Sequence, residues 1–265
     1  ALDFVEQAPG LLYHAPHVQL LVEDPTNPED RGGDLDRMYR WYHGHIEAAK
    51  MAEVPALTAL ADSLCQGHEQ PAQKAAALLQ WVQQNIRYVA IEDGWNGLVP
   101  IQPDITYQVR YGDCKGMSAI LQNMMRSQDL DARLAWVGTR RLPYRYDELA
   151  NCSVDNHMIV AWKAEGPMPS AALPSENGWL LIDPTHDQLA FGLPSPFIQG
   201  KQVLVSGKDA EDYDLALAPV VPADQNRILD SLEVELDGSA LMGRGRMVFS
   251  GIPRNHLASI LLHVP

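Results

Sequence analysis

From residue 35 onward, apolar side chains recur every three to four positions, the period of a helix with one buried face. Leu35, Met38, Tyr42 and Ile46 predict a first helix over 35–50, and Asp34 has the acceptor side chain that caps one. Leu57, Leu60, Ala61 and Leu64 predict a second over 55–65. Ala75, Leu78, Leu79, Val82 and Ile86 predict a third over 71–86. Pro55 and Pro71 open these helices, where a missing N–H costs nothing. A further helix follows Tyr111-Gly112-Asp113-Cys114, with Met117, Ile120, Leu121 and Met124 on one face and Asp113 in the N-cap position.

Beyond that helix the pattern changes to short apolar runs bounded by Gly, Pro and Ser. Residues 132–137, 157–162, 179–183 and 202–205 read as strands, with 138–155 and 166–178 as irregular connections. Residues 231–236 and 241–250 flank Asp237-Gly238, a hairpin signal. Upstream, 18–22 and 87–91 suit strands, and 92–104 reads as a Gly- and Pro-rich loop. Helices first and an antiparallel sheet afterwards make an α+β fold with the cysteine-bearing helix at its centre. Three segments are expected: residues 1–30 as a β segment or linker, 31–215 as the core, and 216–265 as the opening of a C-terminal β module. The sequence begins at Ala1 and has no basic-then-apolar leader, so a trimmed chain with flanking domains is expected.

Charge narrows the partners. The 265 residues carry a formal net charge of -14, which disfavours nucleic-acid phosphates and anionic membranes as partners. No apolar run reaches the roughly 18 residues of a membrane span. The acidic residues Asp24, Glu29, Asp30, Asp34 and Asp36 do not fall in the register of a calcium-binding loop and read as a solvated turn. Three cysteines, Cys65, Cys114 and Cys152, form no metal-ligand spacing, and no metal or other cofactor is expected. His14 with His17, and His43 with His45, are weak pairs.

Cys114 is the candidate for chemistry. At the start of a helix, unpaired N–H groups and the positive end of the helix dipole favour the anionic, nucleophilic form of a thiol. Lys115 adds positive charge nearby. Such a nucleophile needs a base, and the base an orienting group. His157 opens one strand and Asp183 closes the next. In adjacent antiparallel strands, an early residue of one faces a late residue of the other. Alone, each has a blander reading: a core histidine and a turn aspartate. Cys65 ends an apolar helix face and reads as core, and Cys152 as structural or incidental. His186 and Asp187 read as a surface loop.

Gly112-Asp113-Cys114-Lys115, Asn156-His157 and Ile182-Asp183-Pro184-Thr185 together resemble the bacterial transglutaminase-like superfamily. The resemblance covers roughly residues 80–185. It implies a papain-like core in which Cys114 is the nucleophile, His157 the base and Asp183 its orienting partner. It also implies cysteine-dependent acyl transfer on a peptide or carboxamide, a peptide or protein substrate, and a periplasmic or cell-envelope location. The backbone N–H of Cys114 is one natural oxyanion donor, and Trp95, Gln102 and Gln108 are candidates for the second. The rival reading is a non-catalytic binding module of a larger envelope protein.

Overall fold

The structure, a computed structural model, describes residues 10–21, 33–49, 53–91, 93–186 and 189–262. Asp34 caps α1 (Leu35–Ala48): its Oδ1 accepts the N–H groups of Asp36 at 2.9 Å and Arg37 at 3.4 Å. α2 (Pro55–Cys65) and α3 (Pro71–Asn85) follow, each starting on its proline as the sequence predicts. The strand expected over 87–91 is shorter. β1 is only Arg87–Tyr88, and the stretch read as loop contains the start of α4 (Pro103–Val109). This short helix ends in Arg110, whose left-handed backbone (φ 61°) turns the chain into β2 (Tyr111–Gly112). β1 and β2 pair in parallel, and Val89 N–H donates to Gly112 O at 2.9 Å. That pairing holds the residue two places before Cys114 where α5 (Cys114–Arg126) begins.

The main sheet has five strands: β3 (Ala132–Val137), β4 (His157–Lys163), β5 (Trp179–Ile182), β6 (Gln202–Ser206) and β7 (Tyr213–Leu217). Their order is β5-β4-β3-β6-β7, and every neighbouring pair is antiparallel. Side chains alternate between the two faces, as a period of two requires. Ala132, Val160, Trp162, Leu180 and Ile182 pack against α2, α3 and α5. Leu134, Trp136, Met158 and Leu204 pack against Met38, Tyr39 and Tyr42 of α1. Ala135, Ile159, Ala161, Leu181 and Val203 form a separate cluster with Ile198 and Ala216.

Helix α5 is the central element. Met117, Ile120, Leu121, Met124 and Met125 are each 1% exposed or less. Burying side chains of this size contributes about 1.5–3 kcal/mol apiece, which explains why this helix stays fixed under the sheet.

Two further differences from the sequence reading concern the ends. The apolar run at 18–21 makes no strand, and Val22 lies outside the described residues. Among the described residues, no strand pairs with it. It is tied instead by side chains, with Gln19 Nε2 donating to Tyr144 Oη at 2.8 Å. The rest of segment 1–30, apart from 10–21, is outside the described residues, as are Asp24, Glu29 and Asp30. At the other end the predicted hairpin forms as β8 (Ile228–Asp237) and β9 (Ala240–Phe249), a two-stranded sheet separate from the main one. Its turn is Gly238-Ser239, with Gly238 at φ 61°. α6 (Ile252–Leu262), not anticipated from the sequence, follows it.

Candidate active site

Cys114 is the first residue of α5 and is 8% exposed. The local sequence builds this position. Asp113 Oδ1 accepts the Gly116 N–H at 2.9 Å, and its other oxygen forms an ion pair with Lys115 Nζ, both side chains buried. Lys115 is therefore neutralised by its neighbour rather than left to add charge at the sulfur. The two glycines of the motif make room for α4. A Cβ on Gly112 would sit 3.3 Å from Thr106 Cγ2, and one on Gly116 would sit 3.2 Å from Thr106 Oγ1.

His157 opens β4 and stands opposite Val137 of β3. Its Nε2 lies 3.1 Å from Asp183 Oδ2, and the Cys114 side chain is near enough to act on the charge of the ring. Burial pushes the imidazole pKa down, but the Asp183 charge and hydrogen bond, then Cys114, outweigh it and lift the value to about 10. The ring is thus an imidazolium at neutral pH. Asp183 is 1% exposed. Burial alone would raise its pKa, yet His157 and two bonds from Thr185 hold it below the ordinary carboxylate range. Those bonds run to Oδ1 from Thr185 Oγ1 at 2.7 Å and from Thr185 N–H at 3.1 Å. Sequence reasoning noted Thr185 in the motif but assigned it no role; the residue fixes the carboxylate.

Cys114 and His157 open into a cleft of about 400 Å³, also lined by Tyr42, His45, Gly97, Leu98, Trp136 and Asp155. Trp95, Gln102 and Gln108 are not among its lining residues. Trp95 is 70% exposed with its ring 6.0 Å from that of His45, Gln102 precedes α4, and Gln108 is exposed on that helix. Gly97 and Leu98 border the sulfur's cleft from that loop instead. Cys152, read as incidental, is exposed and stands in the cleft wall. Cys65 is buried in the core as expected. His186 lies outside the cleft, its ring 5.7 Å from that of Phe197, and Asp187 is outside the described residues. Among the described residues, no group of three or more His, Cys, Asp and Glu side chains could hold a metal ion.

The sequence reading also missed a carboxylate. Asp155 Oδ2 accepts hydrogen bonds from Tyr42 Oη at 2.9 Å and Tyr146 Oη at 2.8 Å. Burial raises its pKa to about 7 against the lowering effect of those bonds. Only the position of Asp155 two residues before His157 hinted at this, because Tyr42 comes from a distant part of the chain and Tyr146 from an irregular connection.

A cysteine-headed helix packed on an antiparallel sheet that carries the histidine and the aspartate defines a papain-like core. Residues 58–184 match the family model of the transglutaminase-like superfamily, and this core of the chain is transglutaminase-like. No curated protein matches the sequence. Among solved structures, a protein from Parabacteroides distasonis provisionally described as a protease superposes with a TM-score of 0.50 at 12% identity, covering 85% of this chain and 43% of its own. A provisionally described cysteine protease from Cytophaga hutchinsonii matches at TM-score 0.37 and 14% identity, over 86% of this chain and 57% of its own. The periplasmic domain of TgpA from Pseudomonas aeruginosa matches at TM-score 0.32 and 24% identity, over 58% of this chain and 49% of its own. The chain thus spans about half the length of these structures. No helix among the described residues is long and apolar enough to cross a membrane.

Proposed function

We propose that the protein is a cysteine-dependent acyl-transfer enzyme acting on a peptide bond or carboxamide. The observation that carries this reading is the His157 ring, paired with Asp183 and lining the same cleft as the Cys114 thiol, which acts on the charge of the ring. An imidazolium beside a thiol at a helix start favours the thiolate. In the reaction, Sγ attacks the carbonyl carbon and the oxygen becomes an oxyanion. The Cys114 N–H, at the first helical position and without an intrahelical acceptor, points toward that charge. As the C–N bond breaks, His157 gives its proton to the departing amine and a thioester remains. Neutral His157 then takes a proton from water or from an incoming amine, which attacks the thioester. Water yields the acid and an amine yields a new amide; either restores the thiolate and imidazolium. Asp183 keeps the ring oriented and stabilises its charge throughout.

Because Cys152 is also exposed, the test uses a Cys152→Ser background. Iodoacetamide at pH 7 should alkylate one residue rapidly, identified by mass spectrometry as Cys114, and Cys114→Ala should abolish it. Slow alkylation of Cys114, no faster than a free thiol, would favour the non-catalytic binding module. Incubation with Gln-containing peptides and a primary amine then separates the outcomes: cleavage or deamidation indicates hydrolysis, and an amine adduct indicates transamidation. A cell-envelope location rests on the family resemblance, and recovery of the native protein in a cytosolic fraction would contradict it.

A further inference from the structure

The charged groups of the cleft do not balance. Beside the Cys114 nucleophile, three of its lining residues carry a formal charge: Lys115, His157 and Asp155. Lys115 is paired with Asp113 and His157 with Asp183. Asp155 has no cation paired with it among the described residues. Its Oδ2 is taken by the hydroxyls of Tyr42 and Tyr146, while Oδ1 accepts no hydrogen bond among the described residues, and Asp155 is half-buried in the cleft wall. Both tyrosines are buried, Tyr42 at 3% and Tyr146 at 2% exposure. They come from α1 and from the connection before β4, so two separate parts of the fold converge to aim one carboxylate. A carboxylate used only to tie tyrosines together needs no opening to a cleft. Desolvated and unpaired, it favours any ligand that supplies the missing positive charge.

We propose that Asp155, oriented by Tyr42 and Tyr146, is a recognition site for a protonated amine on the substrate of the Cys114 cleft. The inference rests on the reading of Cys114 as the nucleophile. Tyr42 and Trp136, whose rings stack at 4.8 Å, and Met158 supply an apolar wall for the alkyl stem of such an amine. The titratable groups facing Asp155 are Tyr42 and Tyr146, Cys152 on the same connection, His45 from α1, and the Cys114–His157 pair. His45 does not compete as the counterion, because burial lowers its pKa and its Nε2 is enclosed without a partner. The amine belongs either to a basic side chain of the acyl donor or to the incoming acceptor.

The test compares two methanethiosulfonate reagents on Cys114 in the Cys152→Ser background, one carrying a trimethylammonium group and one a methyl group. Taking the ratio of their rates cancels the ionisation of the thiol itself. The parent should prefer the cation, and Asp155→Asn should reduce the ratio about tenfold at pH 8, the scale of one charge at close range in a partly desolvated site. Asp155→Glu should keep part of the preference, and the remote exposed Glu176→Gln should leave it unchanged. In the parent the ratio should rise between pH 5.5 and 8 as Asp155 loses its proton; in Asp155→Asn it should stay flat. Equal ratios in the parent and Asp155→Asn, or an equal effect from Glu176→Gln, overturn the amine site while leaving the nucleophile intact. Failure of the neutral reagent to label Cys114 in any variant overturns the nucleophile reading, and the amine site with it. Protection of Cys114 by a lysine-containing peptide amide assigns the amine to the acyl donor, protection by a simple alkylamine assigns it to the acceptor, and protection by neither counts against the site.

Discussion

Nε2 of His157 and Oδ2 of Asp183 are 3.1 Å apart, although 26 residues separate them in the chain. The strand register accounts for the contact: Val160 stands opposite Ile182, so the residue just beyond the end of β5 comes alongside the first turn of side chains in β4. Each Asp183 oxygen has a separate task. Oδ2 meets the imidazole while Oδ1 is held twice by Thr185. The carboxylate cannot rotate without losing three bonds, and the ring it fixes lines the same cleft as Cys114.

Replacing Asp183 with Asn should therefore lower the rate of Cys114 alkylation and of any turnover by roughly 10²–10⁴-fold, the range seen when an orienting carboxylate is lost. The pH profile carries the specific signature. Asp183 lifts the His157 pKa to about 10, so the alkaline limb of the parent should lie near that value, and in Asp183→Asn it should move down toward neutrality. The linkage signs agree. His157, raised in the folded state, stabilises the fold fully below about 6.5 and loses that contribution as pH climbs through about 10. Asp183, lowered in the folded state, contributes above its ordinary value and loses it as pH falls through the depressed one. A pH–rate profile with an unmoved alkaline limb in the variant would contradict the pairing.

Asp113 and Lys115 make a second test because their losses are unequal. Removing Lys115 as Lys115→Met leaves Asp113 with the Gly116 N–H and the helix start for company. Removing Asp113 as Asp113→Ala deletes the N-cap and leaves a buried ammonium unpaired, at a cost of about 3–5 kcal/mol. Urea denaturation should rank Asp113→Ala as much the less stable variant. The reverse order would mean that the cap is unimportant to the start of α5.

Gly138, just after β3, lies tight against the connection leading to His157. A Cβ there would stand 2.3 Å from the carbonyl oxygen of Val154, a backbone atom that cannot swing aside. Close to it, Thr139 N–H donates to Asn156 Oδ1 at 2.9 Å, bracing the residues just before the histidine. Gly138→Ala should destabilise the fold by about 1–3 kcal/mol. It should also slow Cys114 alkylation, because the displaced segment carries both Asp155 and His157. A variant with a lower denaturation midpoint but unaltered alkylation would show that the strain does not reach the site.

The helices and strands that bear the site were legible because their apolar periods are long and unbroken, as in α3 and α5. Cys114, His157 and Asp183 could be singled out because each stands at an element's end, where sequence punctuation is strongest. α4 was hidden by its length of 7 residues and by Pro103, which reads as loop until it is placed in a first turn. β7 was hidden because it is a short edge strand of five residues in which only Ala216 is buried. The Asp155 cluster was invisible for a different reason. Tyr42 is 113 residues from Asp155 and sits on a helix face that reads as core, so no local pattern announces the hydroxyl at its tip. The oxyanion candidates Trp95, Gln102 and Gln108 do not line the cleft, whereas Gly97 and Leu98 of the same loop do, and residues of a turn leave little mark on composition.

Asp155 offers a stability test independent of any substrate. Its pKa is raised from 3.8 to about 7, so the folded protein prefers the neutral acid. The stability gained from that preference is complete below about 3.8 and disappears as pH rises through about 7; above it, the fold holds an unpaired buried carboxylate. Asp155→Asn keeps an acceptor for the tyrosine hydroxyls and removes the charge. Its melting temperature should exceed that of the parent at pH 8, and the difference should shrink or reverse at pH 5. A simple alkylamine at millimolar concentration should narrow the gap at pH 8 by supplying the parent with a counterion, and should leave Asp155→Asn unaffected. A variant less stable than the parent at pH 8 would show that the charge is already compensated within the fold, leaving nothing for a substrate amine to neutralise.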